Sequence, residues 1–443
     1  MIRDPIRGSC YSLTRPGNGV NRDSVTANTK LSSRDRVLTA LAHAEPDRVP
    51  IDLSGHRSSG ISAIAYVKLR KYLGLEPGVP RIYDPVQQIA IVEEDILDLF
   101  SVDTTELGRG FALEDKHWQE WVLPDGTPCL MLAWLKLRRE PERWVILSPT
   151  GRVIAHMPDG VFYFEQTWWP FAEKDDIDHL DDYLEENTWT GISSPPGPLV
   201  SGPSGTQVLR EGARQLRSRT GRAIIGLFGG NLLEMGQFFY GNDRFFILLA
   251  EQPARAHAFL DRVVEIHLAN LDRFLGAVGQ YIDIILFGDD LGMQTGPQIS
   301  PRMYREFIFH RQKTMWQRVR QLAPHVKIML HCCGGVRELL PGLIEAGLDA
   351  INPVQISCRG MDAKELKRDF GRDITFWGGG CDTQRTLPNA SPDEVETHVK
   401  AQVQILKPGG GFVFQQVHNI LANVPPENIV AMYRAAMSAG LYT

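Results

Sequence analysis

His331 and Cys333 stand one residue apart at the end of a short apolar run, Lys327-Ile-Met-Leu-His331, with glycines following at 334 and 335. An imidazole and a thiolate at that spacing suit a soft or borderline divalent ion, with zinc the first expectation. Along an extended turn, alternation puts His331 and Cys333 on one side and Cys332 on the other. A zinc site needs a third protein ligand, and a catalytic site leaves the fourth position open. Cys381 and His418, each after a later apolar run, are both candidates for that ligand. Zinc in such a place can polarise a carbonyl, activate water or hold a substrate thiol as the thiolate. The competing reading is a set of buried, inert thiols beside a hydrogen-bonded histidine.

Asp289 and Asp290 follow another apolar run, Tyr281 to Phe287. Neighbours on an extended chain face opposite ways, so one of the two is expected at the site. It would act as a general acid or base, a metal ligand, or a partner for a substrate cation. The alternative is a helix-capping or ion-paired aspartate. Asn352 and Gln355 are neutral and suit hydrogen bonds to substrate. His56 and Arg57, in the loop Ser54–Gly60, suit an anionic one. Gly378 to Gly380 permit close backbone approach, but no GxxxxGK[ST] phosphate loop is present.

These residues share a position: each follows a predicted strand. Strands are predicted at 48–53, 102–107, 223–228, 281–287, 326–330, 350–355, 374–377 and 411–416, most of them followed by helical segments. Helices are expected over 34–44, 61–73, 85–100, 207–219, 232–249 and 254–275. Ser300-Pro301 and Ser391-Pro392 start two more with an N-cap and Pro at N1. The strands are mostly apolar rather than alternating, as buried parallel strands are. About eight β/α units predict a closed (β/α)8 barrel, with an open doubly wound sheet as the alternative. The barrel places Asp52, Glu106, Asn231, Asp289, Asp290, His331, Cys333, Asn352, Gln355, Cys381, Asp382 and His418 around one mouth.

Residues 34–443 are read as the barrel, interrupted over 110–205 by a β-rich insertion and a Pro/Gly linker. Six tryptophans, at 118, 121, 134, 144, 168 and 169, crowd that insertion, and Pro124-Asp-Gly126 and Pro149-Thr-Gly151 mark turns between alternating segments. It is a small antiparallel module, serving either packing or as a lid that lays its aromatics on substrate. Residues 1–33, polar and without periodicity, read as a loose extension.

The chain has 443 residues, 43% hydrophobic and 23% charged, with net charge −6. That is globular composition with ample length for a core. It lacks the basic surface of a nucleic-acid binder and any apolar run long enough to span a bilayer. The polar N-terminus carries no signal-peptide core. Six cysteines, two of them adjacent, do not form a disulfide framework and point to a reducing cytoplasm. A homodimer is the default assembly.

Taken together, Asp289-Asp-Leu-Gly with Ile299-Ser-Pro-Arg-Met-Tyr304, His331-Cys-Cys-Gly-Gly335, Asn352-Pro-Val-Gln355, Phe376-Trp-Gly-Gly-Gly-Cys-Asp-Thr-Gln384, His418-Asn and Pro425-Pro-Glu-Asn-Ile429 have a familiar look. With them the chain resembles the uroporphyrinogen decarboxylase superfamily, which also contains cobalamin-dependent methyltransferases. The resemblance runs from about residue 34 to the C-terminus and implies a (β/α)8 barrel. In the methyltransferase branch, His-x-Cys after a middle strand and a Cys after the last hold zinc, which activates a thiol to take methyl from a corrinoid. His331 and Cys333 match the first part. His418 stands at the late position, so the third ligand is His418 or, from the neighbouring strand end, Cys381. The resemblance thereby implies zinc, a cobalamin co-substrate, a small-molecule or thiol acceptor and a corrinoid protein partner. The decarboxylase branch has a histidine near the position of His418 and an arginine-rich loop after the first strand. Here that loop has only Arg57, thin for a substrate with many carboxylates. The alternatives to a methyltransferase are a metal-independent decarboxylase and a non-catalytic corrinoid-binding protein.

Overall fold

The computed structural model describes residues 30–187 and 194–442. The expected extension over residues 1–33 lies, up to residue 29, outside the described residues. A seven-stranded parallel sheet forms the centre, with strands in the order Phe412–Val413, Thr375–Trp377, Ala350–Asn352, Lys327–His331, Ile284–Gly288, Ala223–Gly229 and Thr104–Glu106. Each central strand is almost wholly apolar and buried on both faces, the condition for a parallel sheet covered by helices.

The predicted first strand, 48–53, joins the two edges of this sheet. Asp52 donates its amide to the Phe414 carbonyl (2.9 Å), and Phe414 returns its own amide to Pro50 (2.8 Å). On the other side the Asp103 amide reaches the Ile51 carbonyl at 2.8 Å. The segment is too short in its pairing to count as a regular strand, yet these bonds close the ring. The fold is a (β/α)8-type barrel. Ile225, Ile284, Leu286, Met329, Trp377 and Val413 fill its interior, while a larger apolar layer packs between strands and helices.

Two four-stranded sheets form the β insertion. One is wholly antiparallel, with strands Lys136–Glu140, Arg143–Leu147, Val153–Pro158 and Glu165–Gln166. The other combines Trp118–Val122 and Pro128–Leu132 with two earlier pieces, Arg81–Asp84 and Ile89–Ala90. Those pieces shorten the helix expected over 85–100 to Glu94–Leu99. After Asp84 the chain makes a turn, its carboxylate accepting the Gln87 amide (3.0 Å), and Gln88 takes a left-handed φ of 55°. Ile89 and Ala90 then return alongside Ile82 and Asp84. The helix expected over 232–249 is likewise two helices, Leu233–Tyr240 and Asn242–Glu251, broken where Gly241 takes φ 84°.

The tryptophans of the insertion pack inward or against one another. Trp121 and Trp144 meet edge to face at 5.6 Å, and Arg152 lies over Trp168. None of the six is among the residues lining the cavity described below, although Leu184, Ser194, Pro195 and Val200 of the same insertion are. No helix among the described residues is long and apolar enough to cross a membrane.

Candidate active site

Strand register sets the centre of the site. Lys327–His331 lies between its two parallel neighbours with Gly288, His331 and Asn352 level with one another. At that level His331 Nδ1 meets Asn352 Oδ1 at 2.7 Å. The Asn352 amide nitrogen is committed elsewhere, donating to the Trp377 carbonyl (2.9 Å) and to Gln415 Oε1 (2.7 Å). A backbone carbonyl only accepts, so the amide has one consistent orientation and its oxygen must face the imidazole. This assigns the proton to His331 Nδ1 and makes Nε2 the unprotonated nitrogen, accepting from Cys333 Sγ at 3.3 Å.

The turn after the strand is fixed from three sides. Asp290 Oδ1 accepts the Cys333 amide at 2.7 Å, and Gln355 Oε1 accepts the Gly334 amide at 2.9 Å. Gly334 has φ 90°, and a Cβ there would lie 2.2 Å from the Gly292 carbonyl carbon, so the residue must be glycine. Cys332 points into the core, its sulfur accepting the Leu291 amide (3.2 Å).

His418 completes the group. Its backbone is left-handed, φ 64°, a conformation costing a non-glycine residue on the order of 1 kcal/mol. That backbone brings its ring centroid 5.5 Å from that of His331. One donor atom each of His331, Cys333 and His418 lie within 4.8 Å of one another. Burial, then the neighbouring His331, lowers His418 to about 4, so its imidazole is neutral and able to ligate. Burial first, then Asp290, pushes the Cys333 thiol well up, a state that a bound cation would reverse. Two imidazoles and a thiolate fit zinc or a similar borderline ion. Cys381 is not in the group: it is fully buried, its thiol donating to the Asp382 carbonyl at 3.8 Å, and burial raises its thiol pKa.

The two aspartates part company, as adjacent residues should. Asp289 turns away and accepts the Leu233 and Glu234 amides at 3.2 and 3.0 Å, capping the helix Leu233–Tyr240. It is buried, and burial pushes its carboxyl up to about 7. The Asp289 carboxylate thus serves as the cap of that helix. Asp290 faces the His331, Cys333, His418 group, its Oδ1 3.9 Å from His331 Nε2.

The expected substrate contacts need correction. His56 is fully buried and bonds inward, Nε2 to Gln415 Oε1 (3.2 Å) and Nδ1 to the Ser58 amide (3.3 Å). Asn352 is fully buried and saturated by the bonds above. Gln355 holds the Gly334 turn. Arg57 alone of the four lines the cavity, with its Nη1 3.7 Å from Asp84 Oδ2. Among other strand-end residues, Asn231 lines the cavity. Asp52 is buried, accepts the Gly55 amide, Thr104 and Trp377, and is raised to about 6 by burial. Glu106 is also buried, and Asp382 accepts the Gln384 amide of its own turn.

A cavity of about 680 Å³ opens on this centre. Its polar wall includes Glu234, which sequence reasoning missed. Glu234 Oε2 accepts the Asp290 amide (2.9 Å) and Asn231 Nδ2 (2.7 Å). Burial first, then Asp290 and Asp289, raises its carboxyl well above the usual range. Its signal was its place in the first helical turn, three residues after Asn231. Gln415, the partner of both His56 and Asn352, was the other residue missed.

A model of the family described as uroporphyrinogen decarboxylase (URO-D) matches residues 198–438, more than half of the chain. The chain belongs to the uroporphyrinogen decarboxylase family. Among solved structures it is similar to a methyltransferase from Methanosarcina mazei, at 16% identity and TM-score 0.55, over 92% of this chain and 98% of that one. At that identity the likeness shows the shared fold. A glycoside hydrolase family 5 enzyme from Prevotella bryantii aligns at 9% identity and TM-score 0.33 over 57% of this chain and 80% of that one, too distant to bear on the argument. No curated protein matches the chain. The URO-D match covers every residue of the His331, Cys333, His418 group together with Glu234 and Asp290.

Proposed function

We propose that this member of the uroporphyrinogen decarboxylase family is a zinc-dependent methyltransferase, moving a methyl group between a corrinoid and a small-molecule or thiol acceptor. The observation that carries the reading is the convergence of His331, Cys333 and His418, the two histidines lining a cavity, with Nε2 of His331 presented by a fixed Asn352. A metal-free decarboxylase has no use for that donor set. The likeness in fold to a methyltransferase supports the same choice. His331, Cys333 and His418 would hold the ion, which supplies Lewis acidity to keep the acceptor heteroatom anionic.

The chain's own residues do the rest. A heteroatom that loses a methyl group to an acceptor keeps the bonding pair and needs a proton; one that gains methyl must shed a proton. Glu234 and Asp290 sit where that proton can be held, with Glu234 biased by burial towards its protonated form. Asp290 also fixes the Cys333 amide, so it couples proton handling to the ligand turn.

The test is metal content of protein purified without chelators. About one zinc per chain is expected, lost in Cys333→Ser and His418→Ala and retained in Cys381→Ser. Wild-type protein that stays metal-free after zinc is restored under reducing conditions would sink the proposal. Full activity of the His331→Ala, Cys333→Ala double variant would favour the decarboxylase. Cobalamin binding unaffected by zinc, with no transfer to any thiol, would favour the non-catalytic binder.

A further inference from the structure

Gln415 stands between two parts of the molecule that the sequence keeps far apart. Its Nε2 donates to the Ser58 carbonyl at 3.0 Å. A carbonyl only accepts, so Oε1 is the accepting end of the amide, and it takes Asn352 Nδ2 at 2.7 Å and His56 Nε2 at 3.2 Å. His56 therefore carries its proton on Nε2, which Asp52 Oδ2 also faces at 3.5 Å, and its Nδ1 accepts the Ser58 amide at 3.3 Å. The two histidines thus hold opposite tautomers, Nδ1–H in His331 and Nε2–H in His56. Gln415, Asn352 and His56 are all fully buried, so these bonds form in a low-dielectric interior.

The bonds run head to tail. His331 Nδ1 donates to Asn352 Oδ1 at 2.7 Å, Asn352 Nδ2 to Gln415 Oε1 at 2.7 Å, and Gln415 Nε2 to the Ser58 carbonyl at 3.0 Å. Each side-chain amide accepts at one end and donates at the other. A stronger bond at its oxygen polarises its N–H groups and strengthens the next bond. The Gln415 main chain is fixed as well, its carbonyl accepting the Gly380 amide at 2.9 Å. At the far end Ser58 is held by both its backbone groups, and with Arg57 and His331 it lines the same cavity.

We infer that Gln415 is a positioning residue that couples the loop Ser54–Gly60 to the ligand histidine. A cation at His331 Nε2 draws charge from the ring, tightens the chain of bonds and clamps Ser58, and movement of Ser58 loosens His331. By linkage the two effects are equal in free energy. This rests on the zinc reading for the ion at Nε2 but not for the hydrogen bonds, which are tested in zinc-free protein.

The full chain is followed by imidazole nitrogen chemical shifts and by amide hydrogen exchange, zinc-free and zinc-loaded. Zinc-free wild type should show His331 protonated at Nδ1 and His56 at Nε2, and zinc should slow exchange of the Ser58 amide several-fold. Gln415→Met, similar in length but without polar atoms, should give mixed tautomers at both rings and faster Ser58 exchange that zinc no longer slows. Its zinc affinity by chelator competition should fall about tenfold, the low end for an outer partner, because Asn352 keeps its bond to Trp377. Gln415→Glu keeps an accepting oxygen and should restore the His331 tautomer, which a role in packing alone would not do. His56 protonated at Nδ1, Ser58 exchange indifferent to zinc in wild type, or unchanged tautomers in Gln415→Met would overturn the inference. The wild-type measurements need no substitution, so they decide even where the methionine variant does not fold. A protein that never takes up zinc would lose the proposed activity alone, and the tautomers and Ser58 exchange of Gln415→Met would still decide the role of Gln415.

Discussion

At the scale of single residues, the tautomer of His331 is the most exposed part of the reading. Asn352 holds it because its amide nitrogen is occupied by Trp377 and Gln415, so only its oxygen remains for the imidazole. Asn352→Ala should free the ring to exchange tautomers and to rotate. Loss of such an outer partner typically lowers metal affinity about 10- to 100-fold. A chelator competition measures the affinity, and nitrogen chemical shifts of His331 report the tautomer; unchanged values for both would refute the assignment. The same residue shows what the sequence could and could not disclose. The two-residue spacing of His331 and Cys333 was readable, because alternation along one strand is local. Asn352 was read as a substrate contact, since its meeting with His331 depends on the register between two strands. His56 was misread for the same reason: Gln415, which buries and binds it, comes from the opposite end of the chain.

Elements were legible where their signals were local and blurred where a neighbour supplied the missing part. The apolar strand runs and the helix start at Ser391-Pro392 appear where the sequence places them. The first strand is reduced to a few bonds because its partners lie at both far edges of the sheet. The helix Leu233–Tyr240 has no side-chain cap from its own leading residue, Leu232. Asp289, at the end of the next strand, caps it instead. Asp289→Ala should therefore cost about 1–2 kcal/mol in urea unfolding, and Asp289→Asn, which keeps an accepting oxygen, distinctly less. Both should bind zinc within about threefold of wild type, since the side chain is engaged with the Leu233 and Glu234 amides and the one bond to His331 comes from the Asp289 backbone amide, which both variants keep. A large loss of zinc in the asparagine variant with stability intact would return Asp289 to the functional set.

At one joint of the barrel a buried charge reinforces the backbone closure. Asp103, fully buried, accepts the Ile51 amide at 2.9 Å and so pins the closing segment beside the strand Thr104–Glu106. The same carboxylate receives Arg36 Nη1 at 2.6 Å and both Nη atoms of Arg48, at 2.7 and 3.0 Å. Arg36 is itself only 2% exposed and shares its remaining nitrogens with Asp47 and the Leu31 carbonyl. Removing the shared anion would strand two guanidinium groups at a site with little water, and breaking such a pair costs about 3–5 kcal/mol. Asp47 retains part of the compensation for Arg36, so Asp103→Ala should lose about 3 kcal/mol in urea unfolding. Asp103→Asn keeps an acceptor for the Ile51 amide but not the charge, and should fall between the alanine variant and wild type. Because the loop from Ser54 to Gly60 hangs from the same segment, the alanine variant should also expose amides 54–60 to hydrogen exchange before the rest of the barrel opens. A loss under about 1 kcal/mol, with exchange of that loop unchanged, would mean that closure rests on backbone pairing with Phe414 and the apolar interior rather than on the buried charge.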